Sequence, residues 1–125
     1  MMDMVSKTIL VVDDSPTELK LMMSALDGKG YRIVTAIDGE QALEQAVRQR
    51  PNLILLDVIL PKRNGFQVCR QLKTSPDTKD IKIILVSSKS QDSDRFWGLK
   101  QGADEYLTKP WAETDLVASV ERNLS

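Results

Sequence analysis

The sequence predicts an α/β fold, a doubly wound five-stranded parallel sheet with five covering helices, in a single domain over residues 1–125. Three observations predict it. Short apolar runs recur five times, separated by segments of helical spacing about ten residues long. Several runs are apolar at every position, which suits strands buried on both faces of a parallel sheet. The runs end in polar residues beside Pro, Gly or Asn, where a strand gives way to a loop and a helix begins. With 42% hydrophobic and 28% charged residues, a chain of 125 can build one proper core and has no room for a second domain.

Thr8 to Val12 (TILVV) is the first strand and runs into the acidic pair Asp13-Asp14. Ser15-Pro16-Thr17-Glu18 then reads as a helix start, with Ser15 as N-cap, Pro16 in the first position and Glu18 reaching back to close a capping box. Leu19, Leu21, Met22, Met23 and Leu26 follow at helical spacing, the methionines as core filler, and Gly28 and Gly30 stop the helix. Tyr31 to Ala36 is the second strand. Asp38 and Gln41 repeat the capping-box spacing before a helix whose apolar face is Ala42, Leu43, Ala46 and Val47, closed by Pro51.

Leu53 to Leu56 is a continuous apolar run that ends abruptly on Asp57. Pro61, Asn64 and Gly65 make a loop that cannot continue the strand, so the Asp57 side chain is expected at an open edge. By itself, an Asp in this place can do no more than cap a turn. Phe66, Val68, Cys69 and Leu72 mark the third helical face, with Cys69 as a small buried hydrophobe. Ser75 to Thr78 is a loop, and Ile81 to Val86 is the fourth strand, ending in Ser87-Ser88. Ser90 to Gln101 is helical, with Phe96, Leu99 and Ala103 on one side and Gly102 as the stop. Tyr106 to Thr108 is a fifth strand ending in Lys109-Pro110, and Thr114 to Leu124 closes the chain with Leu116, Val117, Val120 and Leu124 on a common face.

Composition excludes several classes. A net charge of −1, from 17 basic and 18 acidic residues, with no long basic run, argues against a nucleic-acid partner. A single cysteine excludes an internal disulfide framework. The start, MMDMVSK, lacks the basic stretch and apolar core of a secretion signal, and no segment approaches the roughly twenty apolar residues that span a bilayer. A cytoplasmic protein without membrane insertion is expected. Histidine is absent, which removes the commonest general base and the commonest transition-metal ligand. Chemistry must run on carboxylates, hydroxyls and lysine, a set that favours hard cations and phosphoryl groups.

In a doubly wound sheet, residues at strand ends share one carboxyl edge, so Asp13, Asp14, Asp57, Ser87 and Lys109 are expected to converge. Three neighbouring carboxylates either take up protons or recruit a divalent cation, and without His or a second Cys the expected cation is Mg²⁺. One carboxylate can then act as a nucleophile toward phosphorus, with the metal, Lys109 and the Ser87 hydroxyl neutralising the phosphoryl charge. Taken singly, Lys109 reads as a solvated lysine and Ser87 as a hydroxyl bonded to backbone. Their joint placement points to a phosphoryl site.

The segments VVDDSP (Val11 to Pro16), LLDVILPKRNG (Leu55 to Gly65), LVSS (Leu85 to Ser88) and GADEYLTKP (Gly102 to Pro110) resemble the signature blocks of the CheY-like response-regulator receiver domain, in order and across essentially the whole chain. The resemblance implies the flavodoxin-like fold and phosphorylation of Asp57 by a histidine kinase of the CheA-like kind. It implies Mg²⁺ on Asp13, Asp14, Asp57 and the backbone carbonyl of Ile59, and Lys109 on the phosphoryl group. It also puts Ser87 and Tyr106 at the family's hydroxyl and aromatic switch positions. The runs DDSPTE, NGFQ and KSQDSDRFWGLKQGADEYLTKP further resemble PilH-type receivers of type IV pilus motility systems, with relatives in cyanobacterial phototaxis.

With no output domain expected after the receiver, the signal has to be a change of shape. Phosphorylation is expected to draw Ser87 toward the phosphoryl group and leave space into which Tyr106 turns, altering the face made by the fourth helix, fifth strand and fifth helix. Trp97, Tyr106 and Trp111 are the candidate partner residues there, and the two tryptophans can equally be local packing. Lys62 and Arg63 read as a solvated loop. Ile59 and Lys89 flank the path of attacking water, and an apolar Ile59 gives that water no partner, which predicts slow hydrolysis of the acyl phosphate. Ser88 narrows access to the site.

Rival readings fit less well. A flavin binder needs a Gly- or hydroxyl-rich phosphate loop where Asp13-Asp14 place two negative charges. A dehalogenase-type phosphatase wants a DxD at the first strand, and the acids here are adjacent. A receiver that binds its partner without phosphorylation, or one that serves as a phosphate sink, stays open.

Overall fold

A computed structural model describes residues 6–125; the first five residues of the MMDMVSK start, expected to lack a secretion signal, lie outside the described residues. Strands and helices alternate as β1 (Thr8–Val12), α1 (Pro16–Leu26), β2 (Arg32–Ala36), α2 (Gly39–Gln49), β3 (Leu53–Asp57), α3 (Gly65–Thr74), β4 (Lys82–Ser87), α4 (Asp92–Lys100), β5 (Glu105–Thr108) and α5 (Glu113–Leu124). All strand pairs are parallel, in the order β2-β1-β3-β4-β5. The chain steps outward from β1 to β2, then crosses back to β3, so the strand order reverses between β1 and β3. In an open α/β sheet the crevice at such a reversal is where a site forms.

Strand alternation sorts the core into two layers. Ile9, Val11, Leu53, Leu55, Ile84 and Val86 pack against Met22, Ala25, Leu26, Leu116 and Val120 of α1 and α5. Leu10, Val12, Ile54, Leu56, Ile83 and Leu85 face α2 and α3, where Ala42, Ala46, Val68, Cys69 and Leu72 cover them. Cys69 is buried there, as expected, and burial pushes its thiol up to about 12.

Helix faces depart from expectation in three places. On α1 the inner face carries Met22, Ala25 and Leu26, whereas Met23 and Leu21 are exposed, so only one of the two methionines fills the core. On α2 the small Ala42 and Ala46 bring the helix close to the sheet, and Val47, rotated one position on, faces solvent. The largest difference is α4, where Phe96 and Leu99 are exposed and the buried residue is Gly98. A Cβ on Gly98 would lie 2.8 Å from both Leu85 Cδ1 and Tyr106 Cδ2, so the helix rests its backbone on the sheet and its large side chains turn outward.

The expected N-caps form, but the reciprocal box expected at Asp38 and Gln41 does not close. Asp38 Oδ1 accepts from the Gln41 N–H at 2.8 Å, while the Gln41 side chain accepts from the Ile37 N–H instead of that of Asp38. Asn64 and Gln67 form a full reciprocal box at the start of α3.

Candidate functional site

Register brings the polar residues together. Val12 pairs with Leu56, and Asp57 with Val86, so Asp13 and Asp57 come level one step beyond the last β1 residue. Both share parity with the residues facing α1 and α5, so both side chains lean to that side of the sheet. Asp13 is fixed by its N–H donating to Ala36 O at 3.1 Å and by Oδ1 accepting from the Ser15 N–H at 3.0 Å. Asp57 Oδ1 accepts from the Ile59 N–H at 3.3 Å. The loop after β3 folds back over the strand tip, with the Gly65 N–H on Val58 O at 2.7 Å. Gly65 is required there because a Cβ would run into the Asp57 carbonyl oxygen.

Asp13, Asp14 and Asp57 each offer a carboxylate oxygen, and these oxygens lie within 4.8 Å of one another. Asp13 and Asp57 are buried and Asp14 is exposed. Lys109, brought in from the end of β5, sets its Nζ 2.8 Å from Asp13 Oδ2, 3.4 Å from Glu18 Oε1 and 3.6 Å from Asp57 Oδ2. One ammonium therefore serves several acids. Burial pushes the Asp57 carboxyl up to about 6; Lys109 pulls it down, Asp13 pushes it further up, and the Ile59 and Val58 N–H groups oppose the rise. Burial works against the Lys109 ammonium, but the hydrogen bond to Asp13 and the surrounding acids outweigh it and raise its pKa. The donor set is all oxygen, carries surplus negative charge and is partly buried, so these residues fit a hard divalent cation such as Mg²⁺.

Glu18 corrects the sequence reading. The Ser15 Oγ accepts from the Glu18 N–H at 3.3 Å as expected, but the Glu18 carboxylate does not close a box; it turns to Lys109, whose ammonium is the stronger partner. Its place in the first turn after an acid-bearing strand end was the available signal. Together with Leu21, Ser88, Lys109, Pro110 and Trp111 it lines a cavity of about 430 Å³ beside the acids. Ser88 thus lines the cavity beside Lys109, and Ile59 is exposed.

Ser87 is fully buried one residue beyond the Asp57 level, on the opposite strand parity, and its hydroxyl accepts from the Lys89 N–H at 3.2 Å. It adjoins Tyr106, and Lys109 and the acids are not among its hydrogen-bond partners. Tyr106 is already turned inward, 8% exposed, with its hydroxyl donating to Lys89 O at 2.7 Å. The Arg95 guanidinium covers the ring at 5.7 Å from its centroid and donates to Tyr106 O at 3.2 Å. The expectation that Tyr106 offers surface to a partner is therefore corrected, and the ring holds an inward pose. The other candidates separate: Trp97 is half exposed on α4, whereas Trp111 is partly buried against the α1/α5 layer and borders the cavity. Lys62 and Arg63 are exposed, with Lys62 paired to Glu40 at 3.7 Å. Among the described residues, no helix is long and apolar enough to cross a membrane.

A parallel sheet with this strand order, carrying three acids and a lysine at one carboxyl edge, defines the receiver class of two-component signalling modules. The response regulator receiver domain matches residues 9–121, and the chain belongs to that family, with a CheY-like fold. It is 38% identical to Protein PilH of Pseudomonas aeruginosa over 117 residues, covering 94% of this chain and 97% of PilH. It is 43% identical to the response regulator PleD of Caulobacter vibrioides over 115 residues, 92% of this chain but 25% of PleD. Among solved structures it is similar to the receiver domain of the sensor histidine kinase PA1611 of Pseudomonas aeruginosa, which holds a magnesium ion in its active-site cleft; the TM-score is 0.87 and the identity 30%, covering 96% of this chain and 98% of that one. Receiver domains accept phosphate from histidine kinases and bind Mg²⁺ in an acidic pocket.

Proposed function

We propose that this receiver takes a phosphoryl group from a histidine kinase, of the CheA-like kind, onto Asp57. A carboxylate oxygen of Asp57 attacks phosphorus, the O–P bond forms, and the P–N bond to the kinase imidazole breaks with its electron pair leaving on nitrogen. Asp13, Asp14, Asp57 and the backbone carbonyl of Ile59 would hold Mg²⁺, which when bound supplies charge neutralisation at the phosphoryl oxygens. Lys109 supplies a second positive charge, and the Ser87 hydroxyl turns its proton toward a phosphoryl oxygen. The observation that carries this reading is the Lys109 ammonium suspended between Asp13 and Asp57, at 2.8 and 3.6 Å.

Movement of Ser87 pulls on the β4–α4 loop, whose Lys89 is bonded to both Ser87 and Tyr106. The face of α4, β5 and α5, with Trp97 outermost, would carry the change to a motility protein, in a cytoplasmic pilus-based or taxis system. Similarity across nearly all of PilH supports this role. Incubation with Mg²⁺ and acetyl phosphate tests the chemistry: intact mass should rise by one phosphoryl group in the wild type and not in Asp57→Asn. The inward pose of Tyr106 favours one second reading, a module that binds its partner without phosphorylation, and an unchanged wild-type mass would select it.

A further inference from the structure

We propose that Glu18 is a specificity-determining residue of the phosphoryl transfer, holding Lys109 toward the mouth of the pocket and disfavouring small anionic donors. The inference rests on Asp57 being the acceptor. Lys109 Nζ is nearer to Glu18, at 3.4 Å, than to Asp57, at 3.6 Å, although Glu18 belongs to a different element from the acids of the strand ends. The Ser15 cap already satisfies the Glu18 N–H, which leaves the carboxylate free to take this position. Glu18 also lines the cavity of about 430 Å³ that opens beside Lys109, so a donor using that route passes a fixed negative charge. The transferring phosphoryl group needs the same ammonium that Glu18 engages. Both effects act in one direction: they penalise a donor in proportion to its negative charge.

Two small donors separate charge from chemistry. In each, an Asp57 oxygen bonds to phosphorus; acetyl phosphate then loses its P–O bond to acetate, and phosphoramidate loses its P–N bond to ammonia, with a proton from water. Acetyl phosphate is a dianion at neutral pH and phosphoramidate a monoanion. With water-like screening between Glu18 and the donor, each unit of donor charge is worth roughly threefold in rate, so Glu18→Gln should speed phosphorylation roughly tenfold with acetyl phosphate and roughly threefold with phosphoramidate. The two gains should converge on one at high salt, and Glu18→Asp, which keeps the charge but draws it back from Lys109, should show smaller gains than Glu18→Gln with both donors. The readout is the rate of mass gain with Mg²⁺ present, measured for each donor and variant. Equal rates for wild type and Glu18→Gln, equal gains for the two donors, or gains indifferent to salt would each overturn the proposal while leaving the acceptor reading intact. A wild type that gains no mass from either donor would overturn the acceptor reading and this inference with it.

Discussion

Asp57 and Glu105 are carboxylates near opposite ends of the sheet, and their surroundings drive them in opposite directions. Asp57, the last residue of β3, is pushed up to about 6 by burial and by Asp13, against the partial relief of Lys109 and backbone N–H groups. Glu105, the first residue of β5, is drawn down to about 2, chiefly by the Arg122 side chain. Arg122 donates to both of its oxygens at 2.9 and 2.7 Å, Ser119 donates at 2.7 Å and Asn123 at 2.8 Å. Glu105 is satisfied and ties α5 to β5. Asp57 shares a single ammonium with Asp13 and Glu18 and is only partly neutralised. Strain at a functional site is offset by well-satisfied groups elsewhere in the fold.

Replacing each carboxylate should therefore change stability with opposite sign. Glu105→Ala removes the partner of the buried Ser119 hydroxyl and should cost about 2 kcal/mol in urea unfolding. Asp57→Asn removes a charge that the pocket disfavours and should stabilise the metal-free protein, on the order of 1 kcal/mol. A destabilised Asp57→Asn would show that the pocket does not disfavour the charge.

The two carboxylates should also differ in their pH dependence. Because the Glu105 pKa is lowered, its contribution is present above its ordinary value of 4.5 and is lost as pH falls toward about 2. Glu105→Gln should flatten the acid limb of an unfolding profile recorded in chelator. Asp57, raised, has the reverse sign: its relative contribution is full below 3.8 and is lost as pH rises through about 6. The smallest effect concerns the exposed Ile59, which offers attacking water no polar partner. Ile59→Asn should hydrolyse its acyl phosphate a few-fold faster than wild type in a mass time course, and a slower variant would remove Ile59 from the kinetic account.

Most of this architecture was legible in the sequence because its signals are local. Fully apolar runs such as Leu53 to Leu56 mark strands covered on both faces, and the carboxyl-edge rule then brings Asp13, Asp57 and Lys109 together without any measured contact. Side-chain direction was harder to read. The periodicity of Phe96 and Leu99 marks a helix face but not which way it points, and that is decided by Gly98 meeting Leu85 and Tyr106 across the sheet. Glu18 was misread for a related reason: capping chemistry lies within four residues, whereas Lys109 arrives from the far end of the chain. The inward pose of Tyr106 depends on Arg95 and Lys89, contacts that sequence spacing does not specify.

Under the proposed function, the crowded, under-neutralised carboxylate is the one that reacts, and only when a divalent cation is present. Borohydride trapping of protein treated with acetyl phosphate, followed by peptide mass mapping with and without Mg²⁺, tests it most directly. The modification should fall on Asp57 alone and vanish in chelator; label on Asp13 or Asp14, or label that ignores the metal, would contradict it.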